Sequence, residues 1–298
     1  MSEYSYTPEG GLTIKTGVRF SRIYLIESLG ENEFHSGRRL YEDVLKKQQL
    51  ALGWLDVIYK EISTATDMFD LLEEIASDIQ VSREIPLLHI ETHGTQNCIE
   101  LASGEKVQFT DLLDDFRKIN ILACNNLFVI AAACHGAHLV TALSLTEESP
   151  FWGVCGSSDE VNGKCLLEGY KAFYEECFKS RDILKGLDCL TNVGKSHGVD
   201  FRLWTSEYLF LLVFRKYLHS FCNEEQIEES VKRLRAMAKA QCGDYIDTPE
   251  RAEMVRKRLG SVGGQKESFE LMKAKFFMYE QCPGNRTLFN PGFEDMLR

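Results

Sequence analysis

From residue 18 to residue 158 short apolar runs alternate with amphipathic stretches, the pattern of strands and helices stacked in layers. The runs predict strands at residues 20–27, 54–59, 87–92, 127–132 and 151–155. Between them, apolar positions recur at three and four, predicting helices at 37–48, 65–79, 110–121 and 136–145. Thr110-Asp111 and Ala65-Thr66-Asp67 read as helix starts. The stretch 98–109, with Ser103-Gly104 between two alternating runs, reads as a small β-hairpin inserted after the third strand. These elements predict an α/β fold of three layers around a mostly parallel sheet.

Beyond residue 158 the strand rhythm fades. Helices are predicted at 161–179 and 181–190, one further strand at 201–205, and helix almost throughout from Ser206. The run Tyr208 to Phe214 is about seven residues long, far below the roughly 20 that span a bilayer, and reads as a buried helix. In the helix around 223–240, Ile227, Val231, Leu234 and Met237 form a stripe among many charges, suited to a surface or partner-facing position. The Gly260–Gly264 segment reads as a flexible break. The division this implies is an N-terminal tail over 1–17, an α/β domain over 18–205 and a helical extension over 206–298 with a regulatory or partner-binding role.

The chain has 298 residues and a formal net charge of −11, which argues against general nucleic-acid binding, since that depends on cationic side chains meeting phosphates. The polar start, Met1 to Thr16, has no basic n-region or apolar h-region, so a cytoplasmic protein is expected. The ten cysteines are scattered and form no CxxC pair; reduced thiols are the default.

Two strand ends carry chemistry. The third predicted strand stops at His93-Gly94 and the fourth at Cys134-His135-Gly136, both at the carboxyl edge where open parallel sheets collect ligands. If these strands are neighbours, an imidazole and a thiol face one groove. A thiolate is the attacking species of cysteine chemistry, and a nearby imidazole accepts its proton or donates one to a leaving amine. The start of the helix predicted after Cys134 adds partial positive charge, and the Gly94 and Cys134 N–H groups are candidate oxyanion donors. Cys134, His135 and His138 are the competing zinc-ligand reading, short of the four ligands of a structural site. The remaining cysteines read as core.

These blocks, with the hairpin after His93-Gly94, the helix over 110–121, the run ending Ala132-Ala133-Cys134-His135-Gly136 and the later Phe151-Trp152-Gly153-Val154-Cys155-Gly156, resemble the caspase-like cysteine peptidases of clan CD. That group includes caspases, metacaspases, separase, gingipains and bacterial CHAT proteases, and the likeness is strongest to the CHAT-type branch. It covers residues 18–192. It implies a caspase-like sandwich, His93 as general acid and base, Cys134 as nucleophile, Gly94 as oxyanion donor, and no metal or organic cofactor. It further implies a protein substrate, such as a companion effector in antiviral defence or cell death, and a protein partner that activates or inhibits. Ala132 stands where caspases carry the glutamine of Q-A-C-[RQG]-G, which leaves the P1 residue open. Asp159 is a candidate for a basic P1, Arg38 and Arg39 for an acidic one, and a small hydrophobic P1 remains a third option. An inactive caspase-like scaffold that binds partner proteins is the alternative function.

Overall fold

The computed structural model describes residues 4–6, 14–16, 20–241 and 249–297. Of the tail expected over 1–17, β1 (Tyr4–Tyr6) and β2 (Ile14–Thr16) pair as a short antiparallel ladder, and the rest lies outside the described residues.

The main sheet is built from β3 (Arg22–Ser28), β4 (Asp56–Glu61), β5 (Pro86–Gly94), β8 (Phe128–Ala132), β9 (Gly153–Ser157) and β10 (Phe201–Thr205). Their order is β10-β9-β8-β5-β3-β4, parallel throughout except for β10. The hairpin expected after the third strand forms from β6 (Cys98–Glu100) and β7 (Lys106–Gln108), with β6 antiparallel to the end of β5.

Side chains alternate across the sheet with period two. Ile23, Leu25, Leu87, Phe128, Ile130 and Cys155 belong to one apolar cluster, while Tyr24, Ile26, Leu88, Ile90, Val129 and Val154 belong to the other. The first layer contains α1 (Ser36–Leu40), a π-helical turn (Tyr41–Leu45), α2 (Lys46–Leu52), α5 (Gly163–Ser180) and α6 (Ile183–His197). The second contains α3 (Ala65–Ser82) and α4 (Phe109–Leu122). Both faces are covered, which is why β8, Phe-Val-Ile-Ala-Ala, is apolar without alternation.

Local signals hold with adjustments. Thr64, just before the expected start, caps α3 in a reciprocal box with Asp67. Thr110 does not cap α4, which begins at Phe109. The helix expected over 136–145 is a 3-10 helix, Gly136–Ala142, too short and tight to supply the dipole of a full α-helix.

The expected boundary at residue 206 is not a boundary of the core. Helices α7 (Ser206–Phe221), α8 (Glu224–Gln241), α9 (Pro249–Gly260), α10 (Val262–Phe276) and α11 (Asn285–Leu288) follow. Phe210, Phe214, Phe269, Phe276 and Phe277 are fully buried and continuous with the first sheet cluster. The Ser149 N–H donates to the Phe276 carbonyl at 2.9 Å, and Lys275 pairs with Glu148. Removing α7 would uncover this aromatic core, so it is part of the globule.

In α8, Ile227 and Val231 are buried while Leu234 and Met237 are exposed, so the stripe is half core. The glycine-rich segment is a tight corner: Ser261 caps α10 by accepting from the Gly264 N–H.

Reduced thiols are not the whole picture. Cys124 and Cys282, 158 residues apart in sequence, form a disulfide that ties the α4–β8 turn to the C-terminal segment. Neither cysteine has a spacing motif, and the pairing arises only once the C-terminal helices fold back.

Candidate active site

The chain runs from β3 to β4 on one side and then returns to β5 on the other, so the strand order reverses at β3. Crevices for ligands open at the carboxyl edge beside such a reversal. His93 ends β5, and Cys134 follows β8, which is hydrogen-bonded to β5 in parallel with Glu91 opposite Ala132. The expected neighbourhood of the two strands is therefore real. His93 and Cys134 line one cleft of about 200 Å³, together with Glu33, Ser36, Glu91 and Ala132.

The turn after Cys134 explains the local sequence. His135 takes a left-handed conformation, φ 56°, which is uncommon for a residue with a Cβ and folds the chain back at once. Its N–H donates to the Asp159 carbonyl at 3.0 Å, and its Nδ1 lies 3.0 Å from the Ser158 carbonyl. Gly136 permits the return, since a Cβ there would meet the Ala131 carbonyl oxygen at 2.2 Å. At Gly94 a Cβ would meet the Cys134 carbonyl oxygen at 2.3 Å, so this glycine lets the two strand ends touch. That close approach is its structural role.

The Cys134 sulfur is half-buried and seated by Val161, whose N–H donates to Sγ at 3.3 Å. By contrast, burial pushes the Cys155 and Cys177 thiols up to about 12, which leaves them inert. The exposed His93 imidazole binds Glu33, with Nε2 2.7 Å from Oε1. Glu33 is itself anchored by the Gly30 N–H at 2.6 Å; that hydrogen bond, with His93 adding to it, holds its carboxyl below the usual range. A carboxylate hydrogen-bonded to an imidazole holds the ring in one orientation.

Other expected residues lie elsewhere. Asp159 is exposed; its carbonyl holds the His135 turn and its carboxylate accepts from the Asp200 N–H at 3.4 Å, away from the cleft lining. Arg38 pairs with Glu61, and Arg39 stacks over Phe34, 4.3 Å from the ring centroid, behind the cleft wall. Neither arginine lines the cleft. His135 faces the Ser158 carbonyl and His138 packs edge-on against it, so the zinc trio does not converge. Among the described residues the one group with three ligand atoms close together is Glu27, His35 and Glu61, and protein donors already occupy it.

Sequence reasoning missed Glu33, Glu91 and Ser36. For Glu91 a signal was present: His89, Glu91 and His93 alternate along β5 and therefore project from one face. That face is otherwise apolar and covered by a helix layer, so a polar triplet on it marks a site. His89 is fully buried, with Nε2 3.2 Å from Glu91 Oε1 and Nδ1 3.0 Å from the Tyr174 hydroxyl. Burial raises the Tyr174 pKa well above 10, so its O–H stays available to donate. Glu33, in the polar stretch after β3, has no sequence signature that links it to His93.

No protein-family model matches the chain, and no curated protein matches it.

Proposed function

We propose that the protein is a cysteine endopeptidase that cleaves a protein substrate through Cys134 and His93. The observation that carries this reading is the placement of a half-buried thiol and a carboxylate-held imidazole on adjacent strand ends in one cleft. Cys134 gives its thiol proton to His93 as Sγ bonds to the peptide carbonyl carbon, and the tetrahedral oxyanion gathers at backbone N–H groups beside the strand ends. His93 gives a proton to the leaving amine as the C–N bond breaks, leaving a thioester. Water, deprotonated by His93, then adds to the thioester and releases the acid and the free thiol. Glu33 holds the imidazole through both halves. The resemblance to CHAT-type proteases extends the proposal to a regulated enzyme that acts on a companion effector and answers to a protein partner.

The test is a proteome-derived peptide library read by mass spectrometry, with wild type beside Cys134→Ala. Cuts that disappear in the variant while its melting curve is unchanged are the expected result. The same silence from both proteins, with the fold intact, overturns a peptidase active on its own and favours a latent enzyme that needs its partner or the scaffold reading.

A further inference from the structure

Three glutamates stand in register across the carboxyl edge of the sheet: Glu61 on β4 opposite Glu27 on β3, and Glu27 opposite Glu91 on β5. Neighbouring like charges in a buried setting repel, and each ionised carboxylate removed from water needs compensation. Two of the three have it. Glu27 accepts from the Gly37 and Arg38 N–H groups at 2.8 and 3.2 Å, from the Tyr59 hydroxyl at 2.7 Å, and faces His35 Nδ1 at 2.9 Å. Glu61 pairs with the Arg38 guanidinium.

Glu91 differs. It is 1% exposed, its partners are the Ser36 hydroxyl and His89 Nε2, and among the described residues no lysine or arginine meets it. The basic side chain that Glu91 does meet is the His89 imidazole, with Nε2 3.2 Å from Oε1 and Nδ1 turned to the Tyr174 hydroxyl at 3.0 Å. Glu91 is also the one of the three glutamates that lines the cleft beside Cys134.

We infer that this cleft is a subsite for a basic side chain, lysine or arginine, with Glu91 as its counter-charge. The apolar walls Leu29, Val161 and Leu166 suit the aliphatic stem, and Ser36 and Thr92 offer oxygen acceptors near the head. At about 200 Å³ the cleft falls below the range of drug-sized pockets and takes one side chain. An arriving ammonium or guanidinium completes a charge pair inside a site already shielded from water, where such hydrogen bonds are strongest. A neutral residue leaves Glu91 with its Ser36 and His89 contacts alone, and an acidic one sets a second carboxylate beside it. Calling this the P1 subsite rests on the peptidase reading; the binding chemistry does not.

The test therefore measures binding without turnover. Full-length Cys134→Ala is titrated by NMR with Nα-acetyl-arginine methylamide and with its norleucine and aspartate counterparts. Arginine is expected to bind about tenfold or more tighter than norleucine, with aspartate weakest, because a charged hydrogen bond is lost in each comparison. Adding Glu91→Gln, which keeps the shape, brings arginine and norleucine within about twofold of each other. Equal affinities without the Glu91 change, or a preference for aspartate, overturn the inference whether or not the double variant folds. An arginine preference beside a peptide library that wild type leaves uncut would sink the reading of a peptidase active on its own and leave the subsite standing.

Discussion

Glu27 and Glu91 sit directly opposite each other on adjacent parallel strands, both about 1% exposed, yet they are built for different purposes. Glu27 is enclosed by two backbone N–H groups, a tyrosine hydroxyl and a histidine, and it fixes the start of the helical segment that begins at Ser36. Glu91 keeps two side-chain partners, the Ser36 hydroxyl and the His89 imidazole, and lines the cleft. The contrast separates a carboxylate that organises the fold from one held ready for something outside it. Burial alone does not distinguish them; the count and kind of donors does.

The sharpest way to break the comparison is to neutralise each acid in turn. Glu27→Gln turns one acceptor oxygen into a donor amide among groups that all donate, so we expect a loss of about 3–5 kcal/mol in unfolding free energy. Glu91→Gln is expected to cost less than about 1 kcal/mol, because Glu91 meets two donors where Glu27 meets four and no lysine or arginine pairs with it among the described residues. Chemical denaturation of both variants measures the difference, and equal losses would erase the distinction.

A third acid sharpens it with a smaller effect. Glu207, in the first turn of α7, is buried with Oε2 lacking a partner, and burial pushes its carboxyl up to about 8. The folded chain then holds a proton that the unfolded chain releases near the ordinary value of 4.5. The stability it contributes is full below that value and drains away as pH rises toward 8. Glu207→Gln should match wild type near pH 4 and exceed it progressively up to pH 8, by on the order of a few kcal/mol. Melting curves across that range check the slope; parallel pH profiles for the two proteins would contradict it.

Much of this was legible along the chain. The alternation of short apolar runs and amphipathic stretches carries the sheet and its two helix layers, because both follow from local periodicity. His93 and Cys134 were visible as polar ends of apolar strands. What escaped depends on contacts distant in sequence: Glu33 reaches His93 across 60 residues, and Cys282 reaches Cys124 across 158. Asp159 looked like a pocket residue because it follows a strand near the site, but its backbone, not its carboxylate, does the shaping. The C-terminal helices read as an appendage because their phenylalanines lie far from the sheet in sequence, while in space they close its core.

The central claim is that Cys134 is activated by His93. The most direct measurement is the rate of iodoacetamide alkylation at each free cysteine, mapped by mass spectrometry in native wild type, His93→Ala and Glu33→Ala. Cys134 should react fastest, ahead of the partly exposed Cys189 and Cys222, with a loss of about tenfold in His93→Ala and a smaller one in Glu33→Ala. Alkylation of Cys134 no faster than Cys189, and indifferent to His93, would contradict the account.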